Sequence, residues 1–341
     1  MNLRHWIATH GRGRALWGAS LGMLLVSGLA LFALYAMFRS GGESLDLQAL
    51  LARISPQVLL LTSLTYALAM LLSVIGWGWM MGSLGGVWSW GEHAKIYCIT
   101  TFTRRLPGAI WYMLGRVVLY ERIGVKKGLT LLVGGLELGI LIASGMLLAL
   151  VTWPFLMRQT QSPLWFVAGL IGCAALLNPP VLRALIRRIS RQHAAANISY
   201  RLLLGWLLLY TVIWCGNGII LYLLADAVHP LGGGELPAVL GIAAATGVIA
   251  FVFSFVPFGL GVQELTISVL LSPLIGGPEA VVVALLIRGI LTLNEFGWAL
   301  LGTVFGLGSL LRPRTLDREQ ALSDAVIPKE VAPISLVPPE K

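Results

Sequence analysis

Long stretches without a charged side chain constrain this chain most strongly. Residues 15–38 carry no charge and are mostly apolar, and several comparable stretches follow. A helix needs about 20 apolar residues to cross the roughly 30 Å hydrocarbon core of a bilayer. The 341-residue chain is 57% hydrophobic and only 11% charged, whereas a soluble domain carries about 25% charged residues. The sequence therefore predicts an integral membrane protein and excludes a soluble enzyme or a disordered chain.

The apolar stretches predict helices rather than a β-barrel. Backbone groups in lipid must bond to one another, so only helices and closed barrels span a membrane. Barrel strands alternate apolar and polar residues, whereas apolar residues here run continuously. We expect an all-α polytopic bundle of about six full spans, with segments three and seven forming two re-entrant or broken hairpins. The eight hydrophobic segments are 15–38, 54–84, 97–120, 129–157, 163–177, 202–224, 236–275 and 280–311.

Basic residues set the predicted orientation, because cytoplasmic loops are enriched in lysine and arginine. Residues 183–201 contain five arginines, and three more follow the last span. We expect a cytoplasmic N-terminus at residues 1–14, a transmembrane domain at 15–311 and a disordered cytoplasmic tail at 312–341. The net charge of +9 is explained by these loops and by anionic lipid head groups, so nucleic acid is not an expected partner.

Segment 97–120 combines charges with a helix-breaking dipeptide. It contains Arg104, Arg105 and Arg116 on either side of Pro107 and Gly108. Each arginine costs about 2.5–3.5 kcal/mol at the centre of a lipid-facing helix. Arg122, Lys126 and Lys127 follow the segment, and we expect both of its flanks on the cytoplasmic side. A re-entrant hairpin broken at the Pro-Gly pair therefore fits better than a crossing, because irregular backbone is tolerated where it lines a cavity.

Segment 236–275 has a similar character. Pro257, Gly259 and Gly261 lie in its middle, and Glu264 follows directly. A hairpin that enters from the outer side would return both ends to that side. A straight crossing at residues 236–256 is the competing model, and it needs one further crossing to bring the C-terminal arginines inside.

The two segments and the helices after them share an order of residue types. The order is proline, charge, glycine, charge, with the signs exchanged: Pro107, Arg116, Gly124 and Glu137 in the first set, and Pro257, Glu264, Gly276 and Arg288 in the second. Inverted repeats with broken helices recur in transporters. This interpretation predicts the ion pairs Arg116–Glu264 and Glu137–Arg288 at the repeat interface, whereas the alternative is that each charge reaches the interface or bonds a backbone carbonyl.

Four tryptophans crowd the inner end of the second span: Trp77, Trp79, Trp88 and Trp90. Tryptophan is enriched where a helix meets the membrane–water interface. We interpret the group as an interfacial aromatic belt.

Two motifs resemble a known family. They are TRRLPGAIWYMLGRVVLYERIGV and FVPFGLGVQELTISVLL…IGGPEAVVVALLIRGI. They look like the lysylphosphatidylglycerol synthase transmembrane family, also called flippase-like, and the resemblance covers about residues 15–311. It implies a domain that moves modified or polyprenyl-linked lipids across the bacterial cytoplasmic membrane. The matching motif positions are Pro107, Gly108, Arg116, Pro257, Gly259, Gly261, Glu264 and Arg288. Full-length synthases add a soluble aminoacyl-transfer domain, and here only a short polar tail follows, so aminoacyl transfer is not implied.

These features together predict a translocator of an anionic or polyprenyl-linked lipid. Intramembrane arginine side chains can hold a phosphate, and half-helix N-termini add backbone N–H donors. The residues expected to face the head group are Arg104, Arg105, Arg116 and Arg288, with Glu137 and Glu264 balancing charge or carrying a proton. Anionic membrane lipids are the expected partners. The sequence offers no metal-binding or Walker A motif, so we expect no metal or other cofactor.

Two other functions remain open from the sequence. A membrane-embedded transferase of lipid substrates can use acidic residues such as Glu43 and Asp46 in the first outer loop. A non-catalytic partner of an enzyme of envelope biosynthesis is the other. The spacing Gly82-x-x-x-Gly86 is typical of close helix packing, either within the protein or between copies in a homo-oligomer.

Overall fold

The computed structural model describes residues 28, 31–33, 35–36, 39, 52–86, 89–105, 110–156, 164–178, 180–181, 199–252 and 261–310. These residues are almost entirely helical, and none of them belongs to a β-strand. The all-α class predicted from the continuous apolar stretches is therefore confirmed for this part of the chain. The predicted tails at residues 1–14 and 312–341 lie outside the described residues.

The described α-helices are numbered here in chain order. Their bounds are α1 Pro56–Ser83, α2 Trp90–Thr101, α3 Ile110–Arg122, α4 Lys127–Val151, α5 Trp153–Leu156, α6 Leu164–Leu177, α7 Tyr200–Val228, α8 Leu236–Val252, α9 Val262–Ile275 and α10 Gly277–Leu310. A 3₁₀ turn, Phe102–Arg105, extends α2, and another, Gly233–Glu235, precedes α8.

Five helical stretches are long and apolar enough to cross a bilayer. They are α1, α4, α7, the stretch Gly233–Phe251 that contains α8, and Gly277–Val304 within α10. Their outward faces carry large apolar side chains such as Leu64, Leu208 and Leu293, which are more than half exposed. Such a surface is stable in lipid and not in water. The fold is therefore that of a helical membrane protein.

Helices α1 and α7 run antiparallel in close contact. A Cβ atom added to Gly76 of α1 would lie 2.9 Å from the Tyr210 ring of α7, and one added to Gly205 would lie 2.6 Å from Trp79. At the opposite end, Nη1 of Arg53 donates to the carbonyl oxygen of Val228 over 3.2 Å. We refer below to the Tyr200 end of the bundle, where α1 ends and α7 begins, and to the Val228 end.

Helix α7 connects two apolar clusters. Its first half packs with α1, α2 and α4 through buried residues that include Trp206 and Tyr210 on α7 and Leu136 on α4. Its second half packs with α8, α9 and the start of α10. The buried residues of this second cluster include Leu221, Ile242, Leu271 and Val283. Tyr66 of α1 contacts both clusters.

Helices α4 and α8 both pack against the middle of α7 at Trp214, and they run in opposite directions. Nε1 of Trp214 donates to the carbonyl oxygen of Leu141 over 3.0 Å, and a Cβ atom on Gly247 would overlap the Trp214 ring. Leu240, nearer the start of α8, contacts Gly218. Helix α4 therefore starts at the Tyr200 end, and α8 starts at the Val228 end.

Helices α2 and α3 are too short to cross a bilayer. They contain 12 and 13 residues, and at about 1.5 Å per residue each spans roughly 20 Å. Helix α2 starts close to the end of α1, and α3 ends close to the start of α4, so both outer ends lie at the Tyr200 end. The break between them contains the turn Phe102–Arg105 and residues 106–109, which lie outside the described residues.

Helix α9 is also short, with 14 residues. It packs against the first half of α10, where the Ser268 hydroxyl and the carbonyl oxygen of Ala280 are 3.5 Å apart. Farther along α10, a Cβ atom on Gly302 would lie 2.8 Å from Cβ of Cys98 in α2. Helix α10 therefore runs from the cluster at the Val228 end toward α2 and α3, which we call the first hairpin.

Candidate functional site

An ion pair between Arg116 and Glu137 lies inside the bundle. Nη1 of Arg116, on α3, is 2.6 Å from Oε2 of Glu137, on α4. The two side chains are 0% and 1% exposed. A charge removed from water is strongly destabilising unless an opposite charge and hydrogen bonds compensate it. In this conformation the pair is closed to ligands from outside.

Aromatic rings enclose the Arg116 guanidinium. Its central carbon lies 4.1 Å from the centroid of Trp77, 4.0 Å from that of Tyr97 and 5.3 Å from that of Tyr112. The negative face of an aromatic ring attracts a cation, most strongly where water is excluded. Nε of Arg116 also donates to Oγ1 of Thr100 over 3.3 Å. The rings and the hydroxyl together stabilise the arginine inside the bundle.

Glu137 joins three other helices. Its Oε1 accepts hydrogen bonds from the hydroxyls of Tyr97 on α2 and Tyr210 on α7, each over 3.0 Å. Its Oε2 binds Arg116 on α3. One carboxylate on α4 therefore holds both arms of the first hairpin and connects them to α7.

The buried polar contacts around Arg116 extend through Trp77 to His93 at the start of α2. Nε1 of Trp77 donates to the Tyr120 hydroxyl over 2.7 Å, and that hydroxyl is also 2.7 Å from Nδ1 of His93. All three side chains are buried. The interpretation of Trp77 as part of an aromatic belt is wrong, because α2 and α3 cover it and leave it 0% exposed. Trp90, by contrast, is 46% exposed.

A second ion pair joins α9 and α10. Nη1 of Arg288 contacts Oε1 of Glu264, while Oε2 of Glu264 accepts the backbone N–H of Gly261 over 2.9 Å. Gly261 precedes α9 with a φ of 89°, a left-handed conformation that glycine adopts without a steric penalty. The glycine and the glutamate three residues later thus form one local structure, in which the carboxylate caps α9.

The second pair is more open than the first. The Arg288 side chain is 21% exposed, whereas that of Glu264 is 4% exposed. Leu285, one turn before Arg288 on α10, is 53% exposed, and the exposed face continues to Leu293, which is 72% exposed. Arg288 therefore lies at the edge of an apolar surface that suits lipid chains.

The ion pairs predicted across the two repeats are wrong. The structure joins Arg116 to Glu137 and Glu264 to Arg288, in place of Arg116–Glu264 and Glu137–Arg288. In each case, the two helices that carry the pair are consecutive and are joined by a short connection. Consecutive antiparallel helices bring together residues on either side of their turn, so each pair forms locally.

Other predicted site residues are only partly described. Arg104 and Arg105 belong to the 3₁₀ turn at the end of α2, where the structure describes their backbone but not their side chains. The predicted residues that lie wholly outside the described part of the chain are Glu43, Asp46, Trp88, Pro107, Gly108, Pro257 and Gly259. The structure adds residues that the sequence did not single out as site residues, namely Trp77, His93, Tyr97, Thr100, Tyr112, Tyr120 and Tyr210.

Comparisons with known proteins do not assign the site. The chain matches no protein-family model and no curated protein. Among the described residues, no group of three or more histidine, cysteine, aspartate and glutamate side chains is placed to hold a metal ion.

Proposed function

We propose that this protein is a flippase-like translocator of a phosphate-bearing lipid, of the lysylphosphatidylglycerol synthase transmembrane type that its motifs resemble. The observation that carries the proposal is the Glu264–Arg288 pair. It places a partly exposed arginine one turn from the apolar, outward-facing Leu285. An arginine at such a boundary can bind a phosphate while the acyl chains remain on the apolar surface.

We also propose that α2–α4 and α8–α10 form an inverted-topology repeat. In each unit a short helix leads through a glycine turn into a long helix, and the turn glycines Gly124 and Gly276 have φ angles of 88° and 96°. An ion pair joins the short and long helices of each unit, with the signs exchanged. Helix α4 starts at the Tyr200 end and α10 at the opposite end, and such an arrangement supports alternating access.

The proposed orientation places the Tyr200 end in the cytoplasm of a bacterium. Exposed basic residues at that end include Arg122, Lys126, Lys127 and Arg201. At the Val228 end, Asp226 is exposed and Glu235 is half-buried. An excess of basic residues is typical of cytoplasmic loops, and the cytoplasmic membrane is the location implied by the family resemblance.

Translocation in liposomes tests the proposal. The protein is reconstituted with acyl-labelled fluorescent phosphatidylglycerol or a fluorescent polyprenyl phosphate, and dithionite then bleaches the outer-leaflet label. We expect bleaching beyond the outer-leaflet fraction for the wild type. For Arg288→Ala we expect a rate about tenfold lower, because a hydrogen bond to a charged group contributes about 1.5–3 kcal/mol.

The matched control is Lys127→Ala, which removes an exposed cation from a surface ion pair. Its rate should equal that of the wild type. Wild-type liposomes that bleach no further than protein-free liposomes with either lipid would overturn the proposal. If lipids retained in nanodiscs also match the bulk membrane, the role of a non-catalytic partner becomes the better explanation.

A further inference from the structure

We propose that the Glu264 carboxylate occupies the place of the substrate phosphate, and that an incoming lipid phosphate displaces it from Arg288. This inference rests on the proposed function and adds how the same site selects and releases its ligand. Glu264 would then be an internal competitor of the substrate and not a contact that holds it.

The donors around Glu264 support this assignment. One carboxylate oxygen contacts the Arg288 guanidinium, and the other accepts the backbone N–H of Gly261 over 2.9 Å. Phosphate oxygens accept hydrogen bonds from a guanidinium and a backbone N–H as well as carboxylate oxygens do. The carboxylate therefore occupies an anion-binding position between the Gly261 N–H, at the start of α9, and the Arg288 guanidinium on α10.

The exposure of the two partners supports the direction of exchange. Arg288 is 21% exposed and Glu264 is 4% exposed, so an anion can approach the arginine before the carboxylate moves. Leu285 lies one turn before Arg288, and the exposed face of α10 continues from it to Leu293. A lipid whose chains lie along that face brings its phosphate to the guanidinium. The buried Arg116 at the first pair offers no such approach.

Exchange explains how binding and release can both occur. A phosphate that binds Arg288 leaves Glu264 without its cation, and an uncompensated carboxylate in a membrane is unstable. The return of Glu264 to Arg288 then favours release of the lipid. A lipid without a phosphate gains nothing from Arg288 and does not displace the carboxylate, so the site distinguishes lipids by phosphate.

Lipid binding to the purified full-length chain in a neutral maltoside detergent tests the exchange. Phosphatidylglycerol, a polyprenyl phosphate and diacylglycerol are titrated separately, and bound lipid is counted by native mass spectrometry. Glu264→Gln keeps an acceptor for the Gly261 N–H and removes the competing charge. We expect it to bind at least one of the phosphate lipids about fivefold more tightly, and Arg288→Gln to lose that binding. Diacylglycerol should respond to neither change.

Controls separate this inference from folding and from transport. Glu121→Gln and Lys127→Gln neutralise an exposed ion pair and should bind as the wild type does, and Glu264→Met is a second neutral variant if Glu264→Gln is not monodisperse. Weaker phosphate-lipid binding in the folded neutral variants would overturn the exchange. Tighter binding without any translocation in liposomes would instead retain the exchange and overturn the proposed function.

Discussion

Arg116 and Glu137 meet across the turn between α3 and α4, with 2.6 Å between Nη1 and Oε2 and almost no exposure of either side chain. The sequence separation is 21 residues. At this depth in the bundle, neither water nor lipid head groups can solvate the two charges. The pair therefore holds the first hairpin against α4, and its loss should affect folding and hairpin position together.

The first prediction concerns the energy of this pair. Arg116→Met leaves Glu137 without its cation, and Glu137→Gln leaves the guanidinium without its anion. Breaking a buried pair typically costs about 3–5 kcal/mol, whereas replacing both partners with neutral groups is often much less harmful. We expect the double variant to be more stable than Arg116→Met alone, as measured by reversible unfolding in mixed micelles.

The surface pair Glu121–Lys127 provides the comparison. Its side chains are 51% and 63% exposed, and such pairs contribute about 0–1 kcal/mol. Glu121→Gln and Lys127→Met should each change stability only slightly. A double Arg116→Met/Glu137→Gln variant that loses the full sum of the single effects would contradict a direct pair.

The second prediction separates local pairing from pairing between repeats. A double-mutant cycle measures coupling between residues that share contacts, and distant sites add within about 0.3–0.5 kcal/mol. Arg116→Met and Glu264→Gln should therefore be additive. Glu264→Gln and Arg288→Met should be coupled, because these residues are in contact. Strong coupling between Arg116 and Glu264 would contradict the local pairs and support the ion pair predicted from the sequence.

The third prediction uses a native thiol to report movement of the first hairpin. Cys98 lies on α2, is 7% exposed and contacts Gly302 of α10. Glu137→Gln weakens the bonds that hold α2 and α3, so alkylation of Cys98 by a maleimide should become at least several-fold faster. The measurement uses variants in which Cys98 is the sole cysteine, in nanodiscs.

Glu121→Gln is the control for the labelling experiment, since this carboxylate is exposed and belongs to the surface pair described above. It should leave the Cys98 rate unchanged. Equal rates in the wild type and in folded Glu137→Gln would show that the carboxylate does not hold the hairpin.

The sequence identified the charged residues within the apolar segments but did not predict the pairs that they form. Intramembrane Arg116, Glu137, Glu264 and Arg288 stand out because charge is expensive in lipid. Their partners do not follow from spacing, because either arrangement of two cations and two anions is neutral. The short connections after α3 and α9 determine which charges pair, because they make the two helices that carry each pair immediate neighbours.

The aromatic surroundings of Arg116 were harder to predict. Trp77 lies near the end of a span, where tryptophan is typical of the membrane interface. Only the packing of α2 and α3 over that end buries it. Tyr97 and Tyr210 lie far apart in the sequence, and they meet at Glu137 because α2 and α7 each direct one hydroxyl to this carboxylate of α4. These contacts depend on tertiary structure and leave no local pattern in the sequence.

The last prediction concerns the contact that brings Tyr210 to Glu137. A Cβ atom on Gly76 would lie 2.9 Å from Cε2 and 3.1 Å from the hydroxyl oxygen of Tyr210. Gly76→Ala therefore forces the ring or α1 to move, and overpacking of this kind costs about 1–3 kcal/mol. We expect lower stability together with faster alkylation of Cys98, because the Tyr210 bond to Glu137 is weakened. Gly135→Ala is the matched control: no atom lies within 4 Å of its added Cβ, and alanine in a helix interior is about 0.5–1 kcal/mol more favourable than glycine. If Gly76→Ala is as stable as Gly135→Ala and leaves Cys98 protected, then close contact between α1 and Tyr210 does not position the carboxylate.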